Sequence, residues 1–158
     1  MEIEYLNQLN KYPSVTRARG YVKYLKPIAM DEIISLEKTY NGGNPFPKAL
    51  RELLYIAGEY CYVLAYYKNN QAKMQEIARE DLADYELSIS RPFYVVDVYN
   101  AHDQFLFVYL DEGKDDPTLY EAVFGGDAAR GWIHTLNTTL AQFINSGLVD
   151  YLNGENPF

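Results

Sequence analysis

Residues 92–110 read PFYVVDVYNAHDQFLFVYL. Both halves of this run are β-branched and aromatic, and the polar turn Asn100 to Asp103 divides them, which predicts two antiparallel strands joined as a hairpin. TLYEAVF, residues 118–124, has the same character and supplies a third strand. What flanks this meander decides the fold class.

Upstream the apolar period is helical. Gln71 to Tyr85 places Met74, Ile77, Ala78, Leu82 and Tyr85 on one face and Lys73, Glu76, Glu80 and Asp84 on the other. Leu50, Leu53, Leu54 and Ala57 recur at helical spacing from Pro47, which suits a first helical turn, to a stop at Gly58. Another helix runs from Asp31 through Ile33, Ile34 and Leu36 to Tyr40, closed by Asn41-Gly42-Gly43-Asn44. A short helix is expected around Ile3 to Leu9, before breaks at Pro13 and Gly20. EYCYVLAYY, residues 59–67, reads as a strand by composition, although its length also admits a helical continuation. Downstream, Gly125, Gly126, Gly131 and Trp132 mark a loop, and Leu136, Leu140, Phe143 and Ile144 set up a last helix closed by Gly147. Helices, then an antiparallel meander, then a helix argue an α+β fold, and 158 residues fit one domain over 1–158.

Cys61 is the only cysteine, which excludes disulfide frameworks and four-cysteine zinc sites and fits a reducing compartment. No run approaches the ~18 apolar residues of a membrane span, and the amino terminus MEIEYLNQLNKYPSV is acidic where a secretory leader is basic. A cytoplasmic protein, clear of the membrane, is expected. The net charge of −8 is unevenly spread: residues 1–80 hold 11 Lys and Arg against 9 Asp and Glu, whereas residues 81–158 hold 3 against 13. The second half therefore carries −10. It repels phosphate backbones, so direct nucleic-acid binding is not expected; it suits either a basic protein surface or plain solubilisation. Of 24 aromatic residues 16 are tyrosines, a type suited to partner surfaces and core edges alike.

DEGKDDPTLYEAVF, from Asp111 to Phe124, sets four carboxylates within six residues. As a calcium loop counted from Asp111 it fails, because Gly113, Asp116 and Ala122 stand where an oxygen ligand, a glycine and a glutamate are needed. A looser magnesium site would need Asp111, Glu112, Asp115 and Asp116 to converge without a second ligand cluster. A strand-to-strand turn explains the same residues, since Asp and Gly accept tight turns and Pro117 can begin a strand.

Other enzyme signatures do not assemble. His102 and His134 form no metal or nucleophile pattern and read as solvated turn histidines. Cys61, between Tyr60 and Tyr62, reads as a small buried hydrophobe. FGGDAARGW lacks the Gly-Lys-Ser/Thr of a phosphate loop, and YNGGNPFP lacks a nucleophile.

MDEIISLEKTYNGGNPFPKALRELLYIAG, FLFVYLDEGKDDPTLYEAVF and TLNTTLAQFINSGL, in that order, resemble the SUKH superfamily, which includes the Smi/Knr-type cell-wall-assembly regulators and many bacterial immunity proteins. The likeness covers residues 30–148, with 1–29 as an amino-terminal extension. NAHDQ stands where many members have a glycine-rich turn, and the helix at 71–85 goes beyond the matched pattern. The resemblance implies a non-enzymatic binding module without cofactor or metal, which in bacterial members binds and neutralises a cognate toxin, often a nuclease. Toxins acting on nucleic acid tend to be basic, so opposed charge would speed encounter. The expected partner-binding residues are Asp111, Glu112, Asp115, Asp116, Glu121 and Asp127, with Tyr109 and Tyr120 as aromatic anchors. Two readings compete: a regulatory scaffold of the same fold, and a metal-dependent hydrolase using the carboxylates at 111–116.

Overall fold

A computed structural model describes residues 1–67, 70–99, 103–125 and 131–154. Its elements are α1 (Asn7–Asn10), β1 (Ser14–Thr16), β2 (Val22–Tyr24), α2 (Met30–Tyr40), α3 (Lys48–Ala57), α4 (Gln71–Asp84), β3 (Phe93–Tyr99), β4 (Gln104–Tyr109), β5 (Thr118–Val123), β6 (Ile133–Thr139) and α5 (Leu140–Leu152). β3 to β6 form an antiparallel sheet in sequence order, and β1 pairs with β2 as a separate hairpin. The fold is α+β.

β3 and β4 read as near-continuous apolar runs because the sheet is covered on both faces. Tyr94, Val96, Leu106 and Val108 join a core with Ile33, Leu50, Leu53 and Ile144 from α2, α3 and α5. Phe93, Val95, Phe105 and Phe107 face the other way, onto Met74, Ala78 and Leu82 of α4. Alternation survives in β4 as alternating partners, not as alternating exposure.

The β3 edge is closed by side chains. Gln75 of α4 donates to the Val95 carbonyl at 2.8 Å and accepts from the Val95 N–H at 2.9 Å, so one amide imitates a neighbouring strand. Arg79 donates to the Phe93 carbonyl at 3.0 Å. Past a bulge between Val95 and Asp97, the Val98 N–H donates to the Ala65 carbonyl at 3.1 Å, and Asp97 accepts from the Ala65 N–H at 2.8 Å. An edge satisfied in this way offers little to a foreign strand.

Four sequence expectations are corrected. Residues 59–67 form no strand; Tyr60 makes a single antiparallel bridge to Lys26, because the β3 edge this run approaches is already shared with α4. β6 occupies Ile133–Thr139, where a loop and the start of the last helix were expected, and Thr139 then opens α5 through a capping box with Gln142. Gly147 does not end α5, which continues to Leu152; a Cβ there would lie 2.7 Å from Val63 Cγ1, so the glycine permits a close approach. The first helix is only one turn, because the N–H groups of Glu4, Tyr5 and Leu6 donate to the buried Glu52 carboxylate at 2.8, 2.8 and 2.9 Å. Leu6 and Leu9 lie in the main core, so the extension at 1–29 is tied to the rest of the chain.

Candidate protein-binding surface

The acidic turn after β4 is held by what each carboxylate meets. Asp111 faces Arg91, whose Nε lies 3.1 Å from both carboxylate oxygens and whose hydrogen bonds, aided by its charge, hold this carboxyl below its ordinary range. The same guanidinium stacks 3.8 Å above the Tyr109 ring. Glu112 turns inward, its side chain 10% exposed. Burial opposes its ionisation, yet hydrogen bonds from the Tyr120 hydroxyl at 2.7 Å, the Thr118 N–H at 3.2 Å and Lys114 outweigh it and hold the carboxyl low. Asp116 accepts from the Ala141 N–H at 3.0 Å and so serves the first turn of α5. Asp115 offers its main-chain carbonyl to the Ala49 N–H at 2.9 Å in the first turn of α3, while the residue itself is exposed.

The stretch is therefore a turn that fastens two helix starts and one strand pair. Its carboxylates diverge, and among the described residues no three His, Cys, Asp or Glu side chains stand grouped as metal ligands. The hydrolase reading lacks a ligand set there.

The sequence-derived anchors differ in what they can reach. Tyr109 is 9% exposed, packed against Tyr120 and covered by Arg91. Tyr120 is half-buried and committed to Glu112, and Glu121 is half-buried beside Gln104, which donates to it. Asp127 and His102 lie outside the described residues. His134, read as a turn histidine, is half-buried in β6 opposite Glu121. Burial pushes the Cys61 thiol up to about 12, so the thiol is inert at neutral pH, as expected of a buried hydrophobe.

Two segments that are 70 residues apart meet at this turn. The loop after α2, with Tyr40, Asn41 and Pro45, and the turn at Leu110 and Asp111 line one cleft of about 510 Å³. Local hydrogen bonds fix the loop: the Asn41 side-chain amide donates to the Asn44 and Pro45 carbonyls at 3.1 and 2.9 Å, and the Phe46 N–H donates to Glu37 at 2.8 Å. Stretches quoted above as YNGGNPFP and DEGKDD are thus walls of one feature.

A second acidic location escaped the sequence reading. Tyr85, expected on the apolar face of α4, lies just past the helix end and is 46% exposed. It stacks on Phe124 at 5.1 Å, and its hydroxyl donates to Asp103 at 2.8 Å. Asp84, Glu86 and Asp103 are all exposed around it. The carboxylates at 84 and 86 sit at a helix carboxyl end, where the backbone dipole disfavours negative charge, and Glu86 has a left-handed backbone with φ of 57°. Fold stability alone gives no reason for this placement. A one-dimensional apolar period could not reveal it, because Tyr85 continues the α4 pattern by one residue after the helix has stopped.

Among the described residues, no helix is long and apolar enough to cross a membrane. Comparison with family models, curated proteins and solved structures finds no match to this chain.

Proposed function

We propose that this chain is a non-enzymatic, cytoplasmic protein-binding module of the SUKH type, and that it binds and neutralises a cognate toxin in a bacterial polymorphic toxin system. The partner presents a basic surface, as a nuclease domain does. The observation that carries this reading is how the charge of the acidic half is spent. Its two described cations are both paired, Arg91 with Asp111 and Lys114 with Glu112, whereas Asp84, Glu86, Asp103 and Asp115 stand exposed. Internal pairing removes the positive charge from that surface and leaves the negative charge facing outward. The meeting of the two motif segments at one cleft, and the order of helices, meander and helix, further support the reading.

Co-expression with the products of neighbouring genes tests it. One of them should be toxic alone and tolerated with this protein, and the two should form a complex whose association slows with salt. Charge reversal at Glu86 and Asp115 together should slow that association about tenfold at low salt while leaving the fold intact. If no neighbouring product is toxic, or toxicity persists beside well-folded protein, the immunity reading fails and a regulatory scaffold of the same fold takes its place.

A further inference from the structure

The largest run of the chain without acidic residues lies between Glu4 and Asp31, and it carries Lys11, Arg17, Arg19, Lys23 and Lys26. Its middle forms the β1–β2 hairpin. Lys23 pairs in register with Val15 and, though exposed, comes within 6.0 Å of the Tyr151 ring centre. Arg17, at the hairpin tip, lies over the same ring at 4.1 Å. Thr16, Arg17, Tyr151, Leu152 and Gly154 line a depression of about 440 Å³ between this hairpin and the end of α5.

Three features of this depression have no structural explanation. First, Arg17 and Lys23 have no carboxylate partner among the described residues, although Lys26 nearby is paired with Glu59 at 3.1 Å. Second, Arg17 does not serve the end of α5, whose carbonyls at Val149 and Tyr151 already accept from the Asn153 and Gly154 N–H groups at 3.0 and 3.2 Å. Third, Tyr151 is 3% exposed, and its hydroxyl, itself closed to solvent, has no hydrogen-bond partner among the described residues. Buried hydroxyls in folded proteins are nearly always paired. A guanidinium clamped on a ring face also keeps its N–H edges clear and loses little entropy when a planar oxyanion docks.

We propose that this depression is a binding site for a small free ligand bearing a carboxylate or phosphate, held by Arg17 and Lys23 over the Tyr151 ring. The two cations come from residues 1–80, and the end of α5 supplies the opposite wall of the site. Its size suits a small molecule better than a polymer surface.

Nuclear magnetic resonance titration of the full chain with inorganic phosphate, and separately with succinate, at constant ionic strength, tests the site. Saturable shifts are expected at the Arg17 side chain and at the backbone of Thr16, Leu152 and Gly154, and the tighter probe identifies the oxyanion class. Arg17→Ala should weaken binding about tenfold or more, with Arg17→Lys intermediate, because a charge-assisted fork is lost in the first and only its geometry in the second. Saturation by neither probe overturns the site, as do equal affinities of the wild type and Arg17→Ala.

Discussion

Asp97 is 2% exposed at the β3 bulge, where Val96 is the extra residue and Asp97 resumes the pairing opposite Leu106. Burial pushes its carboxyl up to about 7, and the Ala65 and Val98 N–H groups oppose that rise without cancelling it. The unfolded chain loses this proton near pH ~4, while the folded chain keeps it to about 7. Between those values the native state binds more protons, so this group makes stability fall as pH rises, on the order of 1 kcal/mol per pH unit. Asp97→Asn retains an acceptor for Ala65 and cannot ionise. Urea unfolding from about pH 4 to 8 should therefore show a shallower pH dependence in the variant than in the wild type; identical slopes would refute the assignment. Glu52 is a different kind of buried acid. Three main-chain N–H donors satisfy it, so Glu52→Ala should cost about 3 kcal/mol and speed amide exchange at Glu4, Tyr5 and Leu6. Neither role is visible in the sequence, because a carboxylate among apolar residues reads the same whether it binds backbone, metal or partner.

Among the elements, α5 shows how packing overrides a local stop signal. Its glycine breaks no hydrogen bond and opens room for Val63. Gly147→Ala gains about 1 kcal/mol of helix propensity, yet it drives a methyl into a β-branched side chain that cannot swing aside. A net loss of about 1–3 kcal/mol is expected in denaturant unfolding, recovered at least in part by adding Val63→Ala. If Gly147→Ala stabilises the protein, the close approach has no energetic weight. Strong periodicity made α2, α3 and α4 legible from the sequence to within about a residue of their observed bounds. β6 was hidden because its threonines and asparagine look like a loop until β5 stands alongside to pair with them.

For the molecule as a whole, the amino-terminal segment is structural. Leu6 and Leu9 are fully buried beside α3 and α5, and burial of each contributes about 2 kcal/mol, to which the pairing of Glu52 adds. Removing residues 1–10 should lower the melting temperature by about 10 °C or more, or abolish folding. An unchanged melting temperature would show the segment to be an appendage. At this scale the sequence by itself determined the α+β class, the helices α2, α3 and α4, the meander and the uneven charge, because each follows from the period or sum of neighbouring residues. Only the tertiary structure decided which carboxylates face outward. Asp111, Glu112, Asp115 and Asp116 are chemically alike and adjacent in the chain, but Arg91, Tyr120, Ala49 and Ala141 come from four other elements or turns to engage three of the side chains and one carbonyl. The direction of a side chain at a turn depends on partners distant in sequence, and only folding brings those partners within hydrogen-bond reach.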